Sequence, residues 1–222
     1  MLNVAPVQKR NLKLEKTLIN IINAGCGNFS SVRNWVNQYT SRVQIITNPK
    51  QYIKGPIILP GVSSSTQLMN NLRATGFETL LKELNSTGEK IIGICAGFQV
   101  LGVYTEEDVG TDCLNILPFK VSRLKDTFGV ETTCTGWKKV NIKIKEQTLL
   151  KEDFKKKRVL RGEAYFNHEY GVSSNDYPLH NDYNYGISEG YYSHIINNNV
   201  YGFQFHPEKS SVFGRELLGI LR

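Results

Sequence analysis

The chain lacks any apolar run near the roughly 18 residues that a membrane span requires, and its polar start, MLNVAPVQKRNLKLEK, lacks the apolar centre of a secretion signal. A membrane partner is not expected, and a cytoplasmic location is the default. Cysteine is sparse. Cys26, Cys95, Cys113 and Cys134 are widely scattered and form no CxxC pair, which argues against a structural zinc or a dithiol redox centre. No internal repeat or low-complexity segment suggests an array or a tethered tail. No DNA- or RNA-binding motif accompanies the basic residues, so nucleic acid is not expected as a partner.

What the chain does have is a core. Of its 222 residues 40% are hydrophobic and 10% aromatic, enough for one sizeable domain and too many for a disordered chain. The net charge is +7. Its densest part, KEDFKKKRVLRG at 151–162, reads as a solvated loop or helix face, or as a surface that meets an acidic partner or a phosphate.

Residues 1–16 read as a leader and 17–222 as a single domain. TLINII (17–22), VQIIT (43–47), the apolar stretch in GPIILPGV and KIIGIC are short runs with no polar alternation, the pattern of strands buried on both faces. Between them lie helical segments. NAGCGNFSSVRNWVNQY has Ser30 or Ser31 as a candidate N-cap and Val32, Trp35 and Val36 on one stripe. TQLMNNLRATGFETLLKELN spaces Leu68, Leu72, Leu80, Leu81 and Leu84 helically, with Gly76 interrupting. The alternation predicts an α/β fold: an open, mostly parallel twisted sheet with helices on both faces, and ligands beyond the strand carboxyl ends. From about residue 117 the texture changes. VNIKIK (140–145), EAYFNHEYGV (163–172) and VYGFQFHPE (200–208) alternate as antiparallel hairpins do, and GRELLGILR reads as a closing helix.

Cys95 lies at one such strand end. In GICAGFQ the spacing predicts a strand, a sharp turn on the cysteine and then a helix, the geometry of a nucleophile elbow. Gly93 and Gly97 let crowded backbones pass, and a thiol at a helix N-terminus gains thiolate character. The alternative is a buried cysteine acting as a small hydrophobe. A thiolate that transfers an acyl group needs a base, and the base needs a group that holds its tautomer. QFHPEKS offers both in His206 and Glu208, with Pro207 stiffening the turn. His168, His180 and His194 are expected at the surface or in packing roles.

The pair GICAGFQ and FHPEKS resembles the class I glutamine amidotransferases. Almost the whole chain, through GCGNFSSV, ILPGV, GICAGFQVLG, GWKKV, YFNHEY and FQFHPEKSSVFGRELL, resembles the glutaminase subunits of imidazole glycerol phosphate synthases. The resemblance implies that Cys95 attacks the side-chain amide of L-glutamine, with His206 and Glu208 completing the triad and neither metal nor cofactor involved. It implies an oxyanion held by backbone N–H groups of Ala96 and of Val62 or Ser63. Gln99, Glu107, Glu169 and Tyr170 match positions around bound glutamine. Trp137, Tyr165 and Lys209 match positions facing a cyclase-type (β/α)8 barrel subunit, the heterodimer partner that receives the ammonia in histidine biosynthesis; core packing is the alternative for the two aromatics.

Several positions depart from the family pattern. Ser63 stands where a glycine is usual, which makes a peptide flip costlier. Lys138 follows Gly136-Trp137 where asparagine is usual, and Asn23-Ala24-Gly25 replaces Asp-Tyr-Gly. Glu169 replaces a small hydroxyl residue, and a carboxylate there weakens glutamine binding unless it turns away. These changes keep other readings open: a paralogue feeding ammonia to amino or amidino sugar synthesis for surface glycans, a cysteine hydrolase of peptide or gamma-glutamyl bonds, or a non-catalytic binding module on the same fold.

Overall fold

The computed structural model describes residues 18–125, 128–145, 157–180 and 183–221. The expected leader and the first part of the basic run, 151–156, lie outside the described residues. Along the chain run β1 (Ile19–Ile22), α1 (Phe29–Asn37), β2 (Val43–Ile46), β3 (Ile57–Leu59), α2 (Ser65–Thr75), α3 (Phe77–Ser86), β4 (Ile91–Ile94) and the single turn α4 (Ala96–Gln99). Then follow β5 (Tyr104–Thr105), β6 (Thr111–Asp112), β7 (Lys120–Arg123), β8 (Cys134–Lys145), β9 (Lys157–His168), β10 (Tyr170–Gly171), β11 (Asn184–Ser188), β12 (Tyr191–Asn197), β13 (Val200–Phe203) and α5 (Ser211–Leu217).

The main sheet has seven strands in the order β11-β12-β13-β4-β3-β1-β2. From β2 to β13 every neighbouring pair is parallel, while β13-β12 and β12-β11 are antiparallel. The inner strands β1, β3 and β4 are buried on both faces, as their apolar runs require, while β2 at the edge is half-buried. Neighbouring residues divide between two cores. Ile57, Leu59 and Ile91 pack with Leu68, Leu72 and Leu81 of α2 and α3. Ile58, Ile92 and Ile94 pack on the other face with Val32 and Trp35 of α1 and Phe213 and Leu217 of α5. The expected helices on both faces are therefore present. Trp35 Nε1 also donates to the Gly214 carbonyl at 2.7 Å, which joins α1 to α5.

Four local expectations change. The N-cap of α1 is Asn28 and not a serine, its side chain accepting from the Ser31 N–H at 3.2 Å; asparagine caps as well as serine does and precedes both Ser30 and Ser31. Gly76 ends one helix and starts another, because its left-handed φ of +82° stops α2. VYGFQF contributes β13, which is antiparallel only to β12 and completes the central sheet by pairing parallel with β4. Residues 157–162 of the basic run form neither loop nor helix. They pair within β9 against β8 in a ribbon that runs from Lys145↔Lys157 to Cys134↔His168, and Leu160 in their midst is buried in the second core.

Candidate active site

Three strand ends converge on one point: Pro60-Gly61 after β3, Cys95 after β4, and Gln204 to His206 after β13. Adjacent parallel strands that stop at the same level make such a crevice at their carboxyl ends. Cys95 itself carries φ +53°, ψ −114°, a backbone region that non-glycine residues rarely occupy. It is held there by its N–H, which donates to the Phe203 carbonyl at 2.8 Å. The crowding that the glycines were expected to relieve is real. A Cβ on Gly93 would lie 2.5 Å from the Gly97 carbonyl oxygen, and one on Gly97 would lie 2.0 Å from that of Leu59. The helix that follows has four residues, so the dipole acting on the thiol is that of a single turn.

His206 approaches from the next strand. Its N–H donates to the Tyr165 carbonyl at 2.9 Å, and its carbonyl accepts from Ser210 Oγ at 2.6 Å, so the backbone of the base is fixed on both sides. On one side its ring interacts with the Cys95 thiol across the cavity that both line, while the thiol's own hydrogen bond runs to the Asn167 carbonyl oxygen at 3.9 Å. On the other, Nδ1 lies 2.8 Å from Glu208 Oε1, with the two side chains 3% and 1% exposed. Burial alone would lower the pKa of His206. The hydrogen bonds to Cys95 and Glu208 and the charges of both outweigh it and push the pKa up to about 9. The imidazole is thus a proton reservoir beside the sulfur.

The cavity around these groups has a volume of about 140 Å³, well below the roughly 300 to 1,000 Å³ of sites for drug-sized ligands. The expected oxyanion donors Ala96, Val62 and Ser63 lie on one wall. They are brought together by close backbone approach, since a Cβ on Gly61 would stand 2.3 Å from the Gly97 nitrogen. Gln99, Glu107, Glu169 and Tyr170 line the rest. Burial raises the pKa of Glu107, partly offset by the Ser65 N–H that donates to its Oε2 at 2.6 Å. Glu169 is turned toward Arg123, with Oε2 3.2 Å from Nη2, and Arg123 also pairs with Glu131 at 2.9 Å and donates to the Tyr170 hydroxyl at 3.1 Å. The carboxylate that departs from the family pattern therefore shares one cation with Glu131.

Trp137, Tyr165 and Lys209 form one cluster, which touches the cavity through Lys209. The rings of Trp137 and Tyr165 meet edge to face with centroids 5.8 Å apart, and Lys209 Nζ stands 5.5 Å over the Tyr165 ring. Trp137 is 51% exposed, so it does not serve as core. Lys209 also lines the cavity.

His168 was expected at the surface or in a packing role; its ring packs on Phe166 with centroids 5.9 Å apart and also lines the cavity, Nδ1 2.8 Å from the Tyr170 carbonyl oxygen, and burial lowers its pKa to about 4. His194 is buried as expected, with a pKa lowered by burial to about 3, and His180 is exposed. Asn167 and Gln204 were also missed. Asn167 lines the cavity, and Gln204 Nε2 lies 3.9 Å from the Cys95 sulfur. The signal was present in the strand period: on β9 the buried Phe166 and the half-buried His168 share a face.

The other thiols have no such surroundings. Burial pushes Cys113 up to about 12 and Cys134 up to about 11. Cys134 borders a larger cavity of about 320 Å³, floored by Phe166, Tyr191 and Tyr192, which meets the smaller one at His168. Size alone would favour neither of these but a more open cavity of about 460 Å³ beside Trp137, Arg161 and Phe213. Chemistry favours the smaller, where a thiol, a base and a carboxylate are connected.

Comparison with known proteins bears on the family and the fold. The chain is 32% identical over 203 residues to the imidazole glycerol phosphate synthase subunit HisH of Dehalococcoides mccartyi (strain CBDB1), covering 90% of this chain and 94% of that one. The HisH protein of Idiomarina loihiensis is 32% identical over 200 residues, covering 89% and 93%. Among solved structures, a glutamine amidotransferase superposes with a TM-score of 0.66 at 16% identity, covering 92% of this chain and 98% of that one. PurLQS from Thermotoga maritima contains a chain that superposes with a TM-score of 0.60 at 15% identity, covering 93% and 98%. The family model for class-I glutamine amidotransferases matches residues 20–218, a span that takes in nearly all of the strands and helices described above. With its elbow cysteine and its histidine and glutamate inside that matched span, the chain belongs to the class-I glutamine amidotransferase family.

Proposed function

We propose that the chain hydrolyses L-glutamine to glutamate and ammonia through Cys95, His206 and Glu208, and delivers the ammonia to a cyclase-type (β/α)8 barrel subunit that makes imidazole glycerol phosphate. The observation that carries this reading is that Cys95 and His206 line one cavity of small-metabolite size, with Glu208 bonded behind His206 at 2.8 Å. The names of the relatives, similar over nine-tenths of the chain, support the branch.

The chemistry follows from the positions of the groups. The sulfur, its proton passed to His206, attacks the glutamine carboxamide carbon and forms a C–S bond, and the carbonyl electron pair moves onto oxygen. Backbone N–H groups of Ala96 and of Val62 or Ser63 lie on the wall where that oxyanion would develop. His206 then returns the proton to the departing nitrogen, the C–N bond breaks, and ammonia leaves a thioester on Cys95. Water, deprotonated by the same imidazole, attacks the thioester; glutamate departs and the proton returns to the sulfur. Glu208, bonded to Nδ1, keeps Nε2 of His206 directed at the chemistry. Glu107 accepts the substrate's α-ammonium, while Arg123 counters the charge of Glu169 beside the substrate carboxylate.

The half-exposed Trp137, Tyr165 and Lys209 make the surface for the barrel, beside the opening through which ammonia would leave. The test is glutamate release from L-glutamine by the chain alone and with a cyclase barrel subunit, with Cys95→Ala as control. Release that rises with the barrel and vanishes in the control is expected. No release with any barrel partner would overturn the reading.

A further inference from the structure

A file of buried side chains joins the wall of the cavity to the nucleophile, and a single backbone carbonyl fixes its direction. Gln99 Nε2 lies 2.7 Å from the Tyr170 carbonyl oxygen. That oxygen only accepts, so this end of the Gln99 amide is its NH₂ and the other end its oxygen. The amide oxygen accepts from Ser65 Oγ at 2.9 Å. The second amide proton reaches Gln204 Oε1 at 3.2 Å, which leaves the NH₂ of Gln204 facing the Cys95 sulfur at 3.9 Å. Ser65, Gln99 and Gln204 are 0%, 4% and 1% exposed, so water does not compete for these bonds. Every donor in the file points toward the sulfur, and hydrogen bonds aligned head to tail polarise one another.

We propose that Gln204 is a positioning residue for the nucleophile: its amide N–H, the last donor of a one-way relay from Ser65 through Gln99, orients the Cys95 side chain and favours its thiolate. A donor to an anionic acceptor makes a bond about twice as strong as one to a neutral acceptor, so the relay stabilises the anion more than the thiol. It also accounts for Gln99, both of whose amide protons are committed inside the protein. The head of the relay is coupled to the cavity, since the Ser65 N–H donates to Glu107 while its hydroxyl starts the file. This inference deepens the glutaminase reading and rests on it for its catalytic consequence; the state of the sulfur is measurable without glutamine.

The experiment follows alkylation of Cys95 by iodoacetamide across pH, located by peptide mass mapping, in the wild type, Gln204→Met and Ser65→Ala. The titratable groups around the sulfur are His206 with Glu208 behind it and, across the cavity, His168, Glu107, Glu169 and Lys209; neither substitution replaces any of them, and Gln204→Met, unlike Ser65→Ala, removes no hydrogen bond to Glu107. Gln204→Met keeps the volume and removes the donor. It is expected to move the alkylation midpoint up by about one pH unit, to slow alkylation at neutral pH about tenfold, and to lower kcat with KM little changed. Ser65→Ala, which keeps the backbone bond to Glu107, is expected to shift the midpoint the same way by a smaller amount, slowing alkylation roughly threefold. An unchanged midpoint in a folded Gln204→Met protein overturns the relay. Should that variant fail to fold, an unchanged midpoint in Ser65→Ala does so. Shifted midpoints in variants of a wild type that releases no glutamate would keep the relay and reject the glutaminase reading.

Discussion

Arg123 Nη2 lies 3.2 Å from Glu169 Oε2, so the residue that departs most from the family pattern has a cation bound to it. Arg123 is on β7 and Glu169 immediately precedes β10, two strands that pair through Arg123↔Tyr170. The strand register thus sets cation and carboxylate side by side. Removing the cation alone leaves a carboxylate facing the carboxylate of the substrate. Arg123→Ala should raise KM for glutamine by a factor of about 2 to 5, the range of a partly exposed ion pair, with kcat nearly unchanged. Steady-state kinetics with the barrel partner present checks this, and the Arg123→Ala, Glu169→Thr double variant should recover most of the loss.

Glu208 bears on the base and not on substrate binding. Glu208→Gln keeps the shape and takes away the charge that helps hold the pKa of His206 near 9. The loss of orientation should lower kcat by about 10² to 10⁴ with KM little changed. The pKa of His206, read by NMR, should fall in the same variant.

The elbow has no room for a methyl group at Gly97, where a Cβ would meet the Leu59 carbonyl oxygen at 2.0 Å. Backbone on both sides cannot yield as a flexible side chain does. Gly97→Ala should cost about 3 kcal/mol or more of stability, seen as a lower midpoint in denaturant, and should lower activity because the displaced turn carries Cys95.

The histidines predict a stability maximum near neutral pH. His168 and His194 have folded pKa values lowered to about 4 and about 3, against roughly 6.5 in the unfolded chain. Between these values the unfolded state binds more protons, so stability falls as pH drops below about 6.5, by on the order of 2 kcal/mol per histidine at pH 5. His206 works in the opposite direction. Its folded pKa is raised, so its contribution is complete below about 6.5 and is lost as pH rises through about 9. Thermal unfolding measured from pH 5 to pH 9.5 should show both limbs, and His194→Gln should weaken the acid one.

The parallel sheet was legible because its strands are continuous apolar runs, and the triad because its residues stand in short local frames. The interiors of the other elements were less so. Gly76 looked like a blemish in one helix because spacing carries no information about φ, whereas the left-handed turn there makes it a boundary. FQF alternates like a hairpin strand, and nothing local says that its other edge lies against β4. The cavity was half read for a related reason. Cys95, His206 and Glu208 are recognisable by type, but His168 and Gln204 acquire their roles from neighbours distant in sequence: Gln204 from Gln99 and Cys95, and His168 from the strand ends it faces.

The placement of β13 also sets a timetable for synthesis. The last strand described along the chain lies in the interior of the sheet, between β4 and β12, and supplies the carbonyl that holds the Cys95 backbone. Until β13 has been made, β4 has one open edge, and the cysteine has neither its anchor nor its histidine. A growing polypeptide therefore carries no anchored elbow until β13 has been made and paired, and the open edge of β4 stays exposed to aggregation and to chaperones until then.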